Sequence, residues 1–449
     1  MLELKLSQNR KRVKCGKRSV LFVSAEISPD DKTKMITPRC HICLVIDCSG
    51  SMYGDKIEDA KTAAIDVVRS LSPNDLVSIV TFSGVAEVKL NPTPASDNNI
   101  ENVIRSIDVD STTALHAGIS KGFELLQHAS APNMVNHLDV FTDGVPNVPA
   151  EHMLDDQRDN DFTQLSREIR NHGMTLNSFG IGDDYDEHLT LLLAEVGGGK
   201  WQHVANTSEL TTIVNEQVTE MKKTVISNPQ LQLTLMDSAE LATAAITKPT
   251  LEEIDTNDLS RTGRTLSIGL KNIIKDESQI IAMRITVPPI DSKEEIPLLT
   301  VEITEGNNVI AKETIGISCT DDMDLANYED NPNPRVLLSN SEATVLLRKG
   351  LDGDQEAKDK ATIILKNLSE TDTDLLDDDT HATVIKTKII SGEIKPGMSS
   401  SDKKRVLHES TVIGDKKDLV CPNCNSPIRP TSKICGKCGK PINKNREEN

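Results

Sequence analysis

Residues 40–55 read CHICLVIDCSGSMYGD, and the fold turns on them. Ile42 to Ile46 form a short apolar run, the mark of a parallel strand covered on both faces. Asp47, Ser49 and Ser51 follow at once in the order D-x-S-x-S. The next stretch, 55–71, carries Ile57, Ala60, Ala64, Val67, Val68 and Leu71 as a stripe at helical spacing, which predicts a helix. LVSIVTF (76–82) predicts a second buried strand, and Thr113–Gln127 a helix. HLDVFTD (137–143) predicts a strand, LSREIRNHG (165–173) a helix stopped at Gly173, and TLNSFGIG (175–182) a strand. Strands alternating with helices make an α/β doubly wound, mostly parallel sheet. Ligands of such sheets bind beyond the carboxyl ends of the strands, which is where Asp47 and Asp143 fall.

Two residues further along extend the oxygen set: Thr113 in STTAL and Asp143 in VFTDG. Thr112 adjoins Thr113, and the T-x-L spacing favours Thr113. Two carboxylates and three hydroxyls suit a hard divalent cation and not a soft one. Mg2+ takes six oxygens and commonly keeps some waters, so five side chains leave a position open for a partner's carboxylate.

The ordered run of DxSxS, DLVSIVTF, TAL, FTDGVPN, FGIGDDYDEHL and GGGKW over about residues 40–224 resembles von Willebrand factor A domains. Asp47, Ser49, Ser51, Thr113 and Asp143 match that family's metal-ion-dependent adhesion site. The resemblance implies that these five coordinate Mg2+, with Mn2+ or Ca2+ as substitutes. It also implies capture of a protein partner through an exposed Asp or Glu. Residues 40–224 are accordingly expected to be the A domain.

Several tempting signals lead elsewhere. A haloacid-dehalogenase-like phosphoaspartyl enzyme wants a second Asp where Ser49 stands. Cys40 and Cys43 form a CxxC, but inside a strand they point to opposite faces and read as core thiols. Cys48 is a poor Mg2+ ligand and reads as packing beneath the loop. Asp352-Gly353-Asp354 lacks the other ligands of a calcium loop. His116 and His137 flank the motifs without any nucleophile elbow and read as structural.

Beyond residue 225 the rhythm changes. Leu231, Leu233 and Leu235 alternate, as do Leu266, Ile268 and Leu270, and Met283, Ile285 and Val287. Strands without intervening helices predict an accessory β-sandwich over 225–320. Leu21, Val23, Ala25 and Ile27 share one strand face, and residues 1–39 are expected to join that sandwich. A small helical region is expected over 321–394, with helices near 335–349, 354–368 and 380–391. Asp352 or Asp354 is a candidate cap, and Asp377–Asp379 a solvated loop or cap. Residues 395–419, with KPGMSSSDKK, read as a linker.

Residues 420–449 carry a second motif. Cys421-Pro-Asn-Cys424 and Cys435-Gly-Lys-Cys438 place four thiolates for one tetrahedral Zn2+, as in a short zinc ribbon. So short a segment has no core, and the metal supplies its folding energy. Its six basic residues are read as balancing a site of four thiolates and one Zn2+, with contact to nucleic acid or an acidic partner as the alternative. A second partner could be recruited there; the segment has no aromatic side chains for base stacking.

Composition bounds the rest. The chain has 449 residues, a net charge of −19, 37% hydrophobic and 2% aromatic residues. That length suits about three domains. Strong acidity argues against nucleic acid as the main partner. Scarce aromatics imply aliphatic cores. No apolar run reaches the ~18 residues of a membrane span, and the first residues lack a signal peptide's apolar stretch. Nine cysteines are therefore expected to be reduced thiols or metal ligands, in the cytoplasm. The function expected is a non-enzymatic, metal-dependent protein-binding adaptor. The alternative is a metal-dependent phosphoester hydrolase using the same cation, which needs a nearby base or phosphate clamp; Lys56 and His116 are its weak candidates.

Overall fold

The strand–helix alternation closes into one six-stranded sheet. The structure, a computed structural model, describes residues 2–30, 38–110, 112–131, 134–143, 146–147, 155–182, 185–204, 217–249, 251–254, 256, 259–306, 308–351, 353–369, 376–393, 406 and 410. The cysteine pairs of residues 421–438 and the stretch KPGMSSSDKK lie outside the described residues.

Three strands open the chain: β1 (Leu2–Gln8), β2 (Arg12–Lys14) and β3 (Ser19–Pro29). The next six are β4 (Arg39–Asp47), β5 (Leu76–Phe82), β6 (Ala86–Pro94), β7 (Met134–Thr142), β8 (Met174–Ile181) and β9 (Gly198–Val204). They form one sheet in the order β6-β5-β4-β7-β8-β9. All its pairings are parallel except β5 with β6. β6 is an edge strand with alternating exposed positions, and its charged, Pro-bearing sequence gives little strand signal. Helices α1 (Asp55–Ser70), α2 (Ile100–Arg105), α3 (Leu115–Ala129), α4 (Asp155–Asn171) and α5 (Glu187–Val196) accompany it.

The sheet has a core on each face. Ile42, Leu44 and Ile46 pack with the α1 stripe, whereas Cys43 and Val45 pack with α3, α4 and α5. Cys40 and Cys43 therefore sit in opposite cores, as their spacing predicts. α3 comes close because Gly122 faces the sheet: a Cβ there would lie 2.8 Å from a methyl of Val45. The aliphatic expectation needs correcting for this unit, since Phe82, Phe141, Phe162 and Phe179 are fully buried and Phe141 stacks on Phe179. Phenylalanine is rare in the chain but concentrated here.

Ten further strands follow: β10 (Thr224–Ile226), β11 (Pro229–Leu235), β12 (Glu240–Lys248), β13 (Glu252–Ile254), β14 (Ser260–Thr262), β15 (Thr265–Gly269), β16 (Ile273–Ile274), β17 (Gln279–Val287), β18 (Ile296–Glu305) and β19 (Asn308–Thr320). Two sheets, β1-β3-β17-β12-β13 and β14-β15-β11-β18-β19-β2, enclose a core built from aliphatic residues, Met283 and Cys319. β3 pairs antiparallel with β17, setting Leu21 opposite Ile285 and Val23 opposite Met283. The chain's first strands thus complete a sandwich whose other strands lie more than 200 residues on.

One expectation is overturned. Cys15 and Cys319 form a disulfide across 304 residues of chain, with Cα atoms 4.9 Å apart. β2 runs parallel to β19 and brings the two side by side, a juxtaposition that the sequence spacing hides. Cysteine usage therefore no longer argues for a reducing compartment. Cys40, Cys43 and Cys48 are free and buried.

Helices Asn333–Leu351, Gln355–Ser369 and Asp378–Glu393 pack together. Asp354 caps the second, accepting from the Ala357 amide at 2.9 Å, and Asp377 accepts from the Thr380 amide at 2.7 Å. Within the stretch read as a linker, Val406 is buried in this helical core. Ser410 is bound by Arg348, whose guanidinium also pairs with Glu195 of α5. Among the described residues no helix is long and apolar enough to cross a membrane.

Candidate metal site

β4 and β7 are neighbours in register, Ile46 opposite Phe141, so Asp47 ends beside Thr142 and just ahead of Asp143. The chain leaves β4 for β5 on one side and returns to β7 on the other. That reversal is the switch point where open parallel sheets hold their ligands.

Each side chain is set by a local device. Asp47 is fully buried and accepts from the Ser49 amide at 2.8 Å and from the Thr142 hydroxyl at 2.6 Å. Burial pushes its carboxyl up to about 6, against the lowering effect of those hydrogen bonds. Gly50–Met52 then make a single 3-10 turn, anchored by the fully buried Met52. The Ser49 and Ser51 hydroxyls lie 3.0 Å apart, and Ser51 donates to Asp143 at 2.8 Å. Lys56, in the first turn of α1, ion-pairs with the other oxygen of Asp143. Gly54 ahead of that helix has φ +92°, a conformation that L side chains rarely adopt.

Thr113 reaches the same corner through the backbone. The Asp110 amide donates to the Cys48 carbonyl at 2.7 Å, and the Ala114 amide to the Ser83 carbonyl at 2.6 Å. Asn147 accepts from the Thr113 amide at 2.9 Å and returns its own amide to the Thr113 carbonyl at 3.1 Å. Thr113 is buried, while the Thr112 hydroxyl packs over Gly84. Cys48 lies under the loop with its thiol on the Phe82 carbonyl at 3.2 Å, as its reading predicts. His116 stands edge-on to Phe162. His137 is buried with Asp139, Asn177 and Gln217, and burial lowers it to about 3.

The structure thus joins Asp47, Ser49, Ser51 and Asp143 in one hydrogen-bonded corner, and pins the segment that carries Thr113 to the neighbouring Cys48 and Ser83 carbonyls through Asp110 and Ala114. Among the described residues no group of three or more His, Cys, Asp or Glu gathers as a metal cluster. The corner offers two carboxylates and hydroxyls instead, a donor set fit for a hard cation. An ammonium already lies on one of those carboxylates. Two participants escape sequence reading: Thr142, whose role needs the β4–β7 register, and Lys56, named there only as a weak candidate for the hydrolase's base or phosphate clamp. Asn147 belongs to the quoted FTDGVPN stretch, and its position there is the signal that could have found it.

Residues 41–216 match the von Willebrand factor type A domain family, and residues 420–442 a zinc-ribbon domain family. The chain carries a von Willebrand factor type A domain. Its C-terminal part is a zinc-ribbon domain. The chain is 25% identical over 215 residues to the uncharacterised protein YfbK of Escherichia coli (strain K12), a match covering 47% of this chain and 36% of that protein. It is 24% identical over 214 residues to the human inter-alpha-trypsin inhibitor heavy chain H1, covering 46% of this chain and 22% of that one. The chain thus spans well under half the length of either relative. A solved von Willebrand factor type A structure from Catenulispora acidiphila superposes with a TM-score of 0.72 at 16% identity, over 92% of this chain and 96% of that one. The ArnB paralog VWA2 of Sulfolobus acidocaldarius gives 0.58 at 18% identity, over 92% and 98%. At such identities the likeness concerns the fold, sandwich and helices included.

Proposed function

We propose that the A domain is a non-enzymatic, metal-dependent protein-binding module. Asp47, Ser49, Ser51, Thr113 and Asp143 hold Mg2+, or Mn2+ or Ca2+ in its place, and an Asp or Glu of a partner protein completes the coordination. The observation that carries this reading is the all-oxygen corner at the switch point, with both carboxylates shielded and Ser51 open to the surface. One carboxylate bond cannot supply specificity, so the surrounding loops must add contacts. Tyr53, 83% exposed, and Val85, 63% exposed, stand in the loops after β4 and β5 and offer an apolar rim. Met52, in the first of these loops, is not part of that rim: it is the loop's buried anchor.

The hydrolase reading finds less support. Lys56 is engaged with Asp143, and His116 with Phe162 and, at 3.4 Å, the Ser120 hydroxyl. Neither is aimed as a base or phosphate clamp. The zinc ribbon, holding Zn2+ on Cys421, Cys424, Cys435 and Cys438, is the second interaction element.

The test is capture by the immobilised full chain, in Mg2+ against chelator, followed by mass spectrometry. Partners should be lost in chelator and with Asp143→Ala. A partner retained equally in both conditions sinks the mechanism. Phosphatase turnover by the wild type, absent in Asp47→Ala, would transfer the case to the hydrolase.

A further inference from the structure

We propose that Lys56 is a built-in competitor of the divalent ion at Asp143, neutralising that one carboxylate when no metal is bound. The inference rests on the metal reading above. The Asp143 side chain is fully shielded from solvent, with one oxygen on the Ser51 hydroxyl and the other on the Lys56 ammonium. Lys56 stands in the first turn of α1 beside Asp55 and Glu58. Acids suit a helix N-terminus, whereas a cation there is opposed by the macrodipole. Its place is therefore held by Asp143 and not by the helix.

The stem of Lys56 also lies in a formed slot. Gly182, just after β8, has φ +78°, and a Cβ there would come within 3.0 Å of Lys56 Cε. Three segments that are distant in sequence meet at this side chain: the α1 start, the β7 end and the β8 end. The lysine is nonetheless 31% exposed, so its four-carbon stem can carry the ammonium outward.

Charge balance sets the consequence. Asp47 and Asp143 bring two negative charges and Lys56 returns one positive. A divalent cation then either displaces the ammonium from Asp143 or shares that carboxylate with it. Both routes weaken metal binding relative to a corner without the lysine. Metal binding and the Lys56–Asp143 ion pair are thereby linked, and chelation restores the pair.

The test is calorimetric titration of Mg2+ and Mn2+ into the full-length wild type, Lys56→Met and Lys56→Arg. Lys56→Met removes the charge and keeps the length. It should bind about tenfold tighter, the scale of one like charge removed at close range near a surface. Lys56→Arg keeps the charge and can engage the carboxylate with two donors, so it should bind no tighter than wild type. Thermal melting supplies a second readout. Lys56→Met should melt lower than wild type without metal, its buried carboxylate being unpaired, and should gain more from added Mg2+. Should the Met variant fail to fold, Lys56→Gln takes its place. Metal affinity equal to or weaker than wild type in the neutral variants, with wild type itself binding, overturns the competition and leaves the metal reading standing. No divalent binding by any of the proteins overturns both.

Discussion

His41 sits in the middle of the sheet with no exposed surface, its Nε2 2.8 Å from the Ser78 hydroxyl. Burial lowers it from 6.5 to about 4. A depressed histidine is neutral in the fold and binds its proton more readily once unfolded. Its contribution is therefore fully present above about pH 6.5 and is lost as pH falls through about 4, a loss on the order of 3 kcal/mol. Urea denaturation at pH 7 and pH 4 should show that His41→Gln lacks this part of the slope. An equal slope in both proteins counts against the buried neutral imidazole. The two acids of the metal corner give a second residue-scale expectation. Asp47→Ala and Asp143→Ala should each abolish Mg2+ binding by calorimetry while the circular dichroism spectrum persists. Unchanged affinity in both would remove the metal assignment.

At the scale of elements, helix α5 shows how a short segment is held at a defined angle. Asp186 accepts from the Leu189 amide at 2.9 Å and so caps the helix. Its other oxygen meets the Arg158 guanidinium at 2.9 Å, with both side chains largely shielded. Asp186→Ala removes the cap and an ion-pair partner of Arg158 together, and should cost about 2 kcal/mol in chemical denaturation. Asp186→Asn keeps the cap and should recover about half of that. A full loss in Asn would assign the effect to the ion pair. Leu189 and Leu193 fill the core shared with Leu176, so the helix start also fixes one wall of the sheet.

At the scale of the whole molecule, the sandwich is built from both sides of the A domain in sequence. β3 lies between β1 and β17, and the Cys15–Cys319 bridge spans the same closure. The zinc ribbon stands after all of this in the chain, and its folding should depend on the metal alone. Elemental analysis of protein purified without chelator should find one Zn2+ per chain, lost in Cys421→Ser, with A-domain Mg2+ binding unchanged. Deletion of 420–449 should likewise leave Mg2+-dependent partner capture intact. Failure of capture in the truncated chain would show that the two elements act as one.

Hydrophobic periodicity by itself determined the doubly wound sheet, because a buried parallel strand and an amphipathic helix each demand their own spacing of apolar residues. Asp47, Ser49, Ser51 and Asp143 were legible as an oxygen set because they stand at or just after strand ends, whereas Thr113, ahead of α3, was placed with them by the family resemblance. The zinc ribbon was legible in the spacing of Cys421, Cys424, Cys435 and Cys438, and residues 420–442 match that family. What the tertiary structure alone decided were the partners of those residues. Thr142 reaches Asp47 only through the β4–β7 register. Lys56 reaches Asp143 across 87 residues, and Cys15 meets Cys319 across 304. Edge strand β6 exists because β5 offers it a hydrogen-bonding edge, and its polar sequence would not form a strand alone. Contacts of that range depend on how elements pack, and no local pattern of residues encodes which distant side chain will arrive.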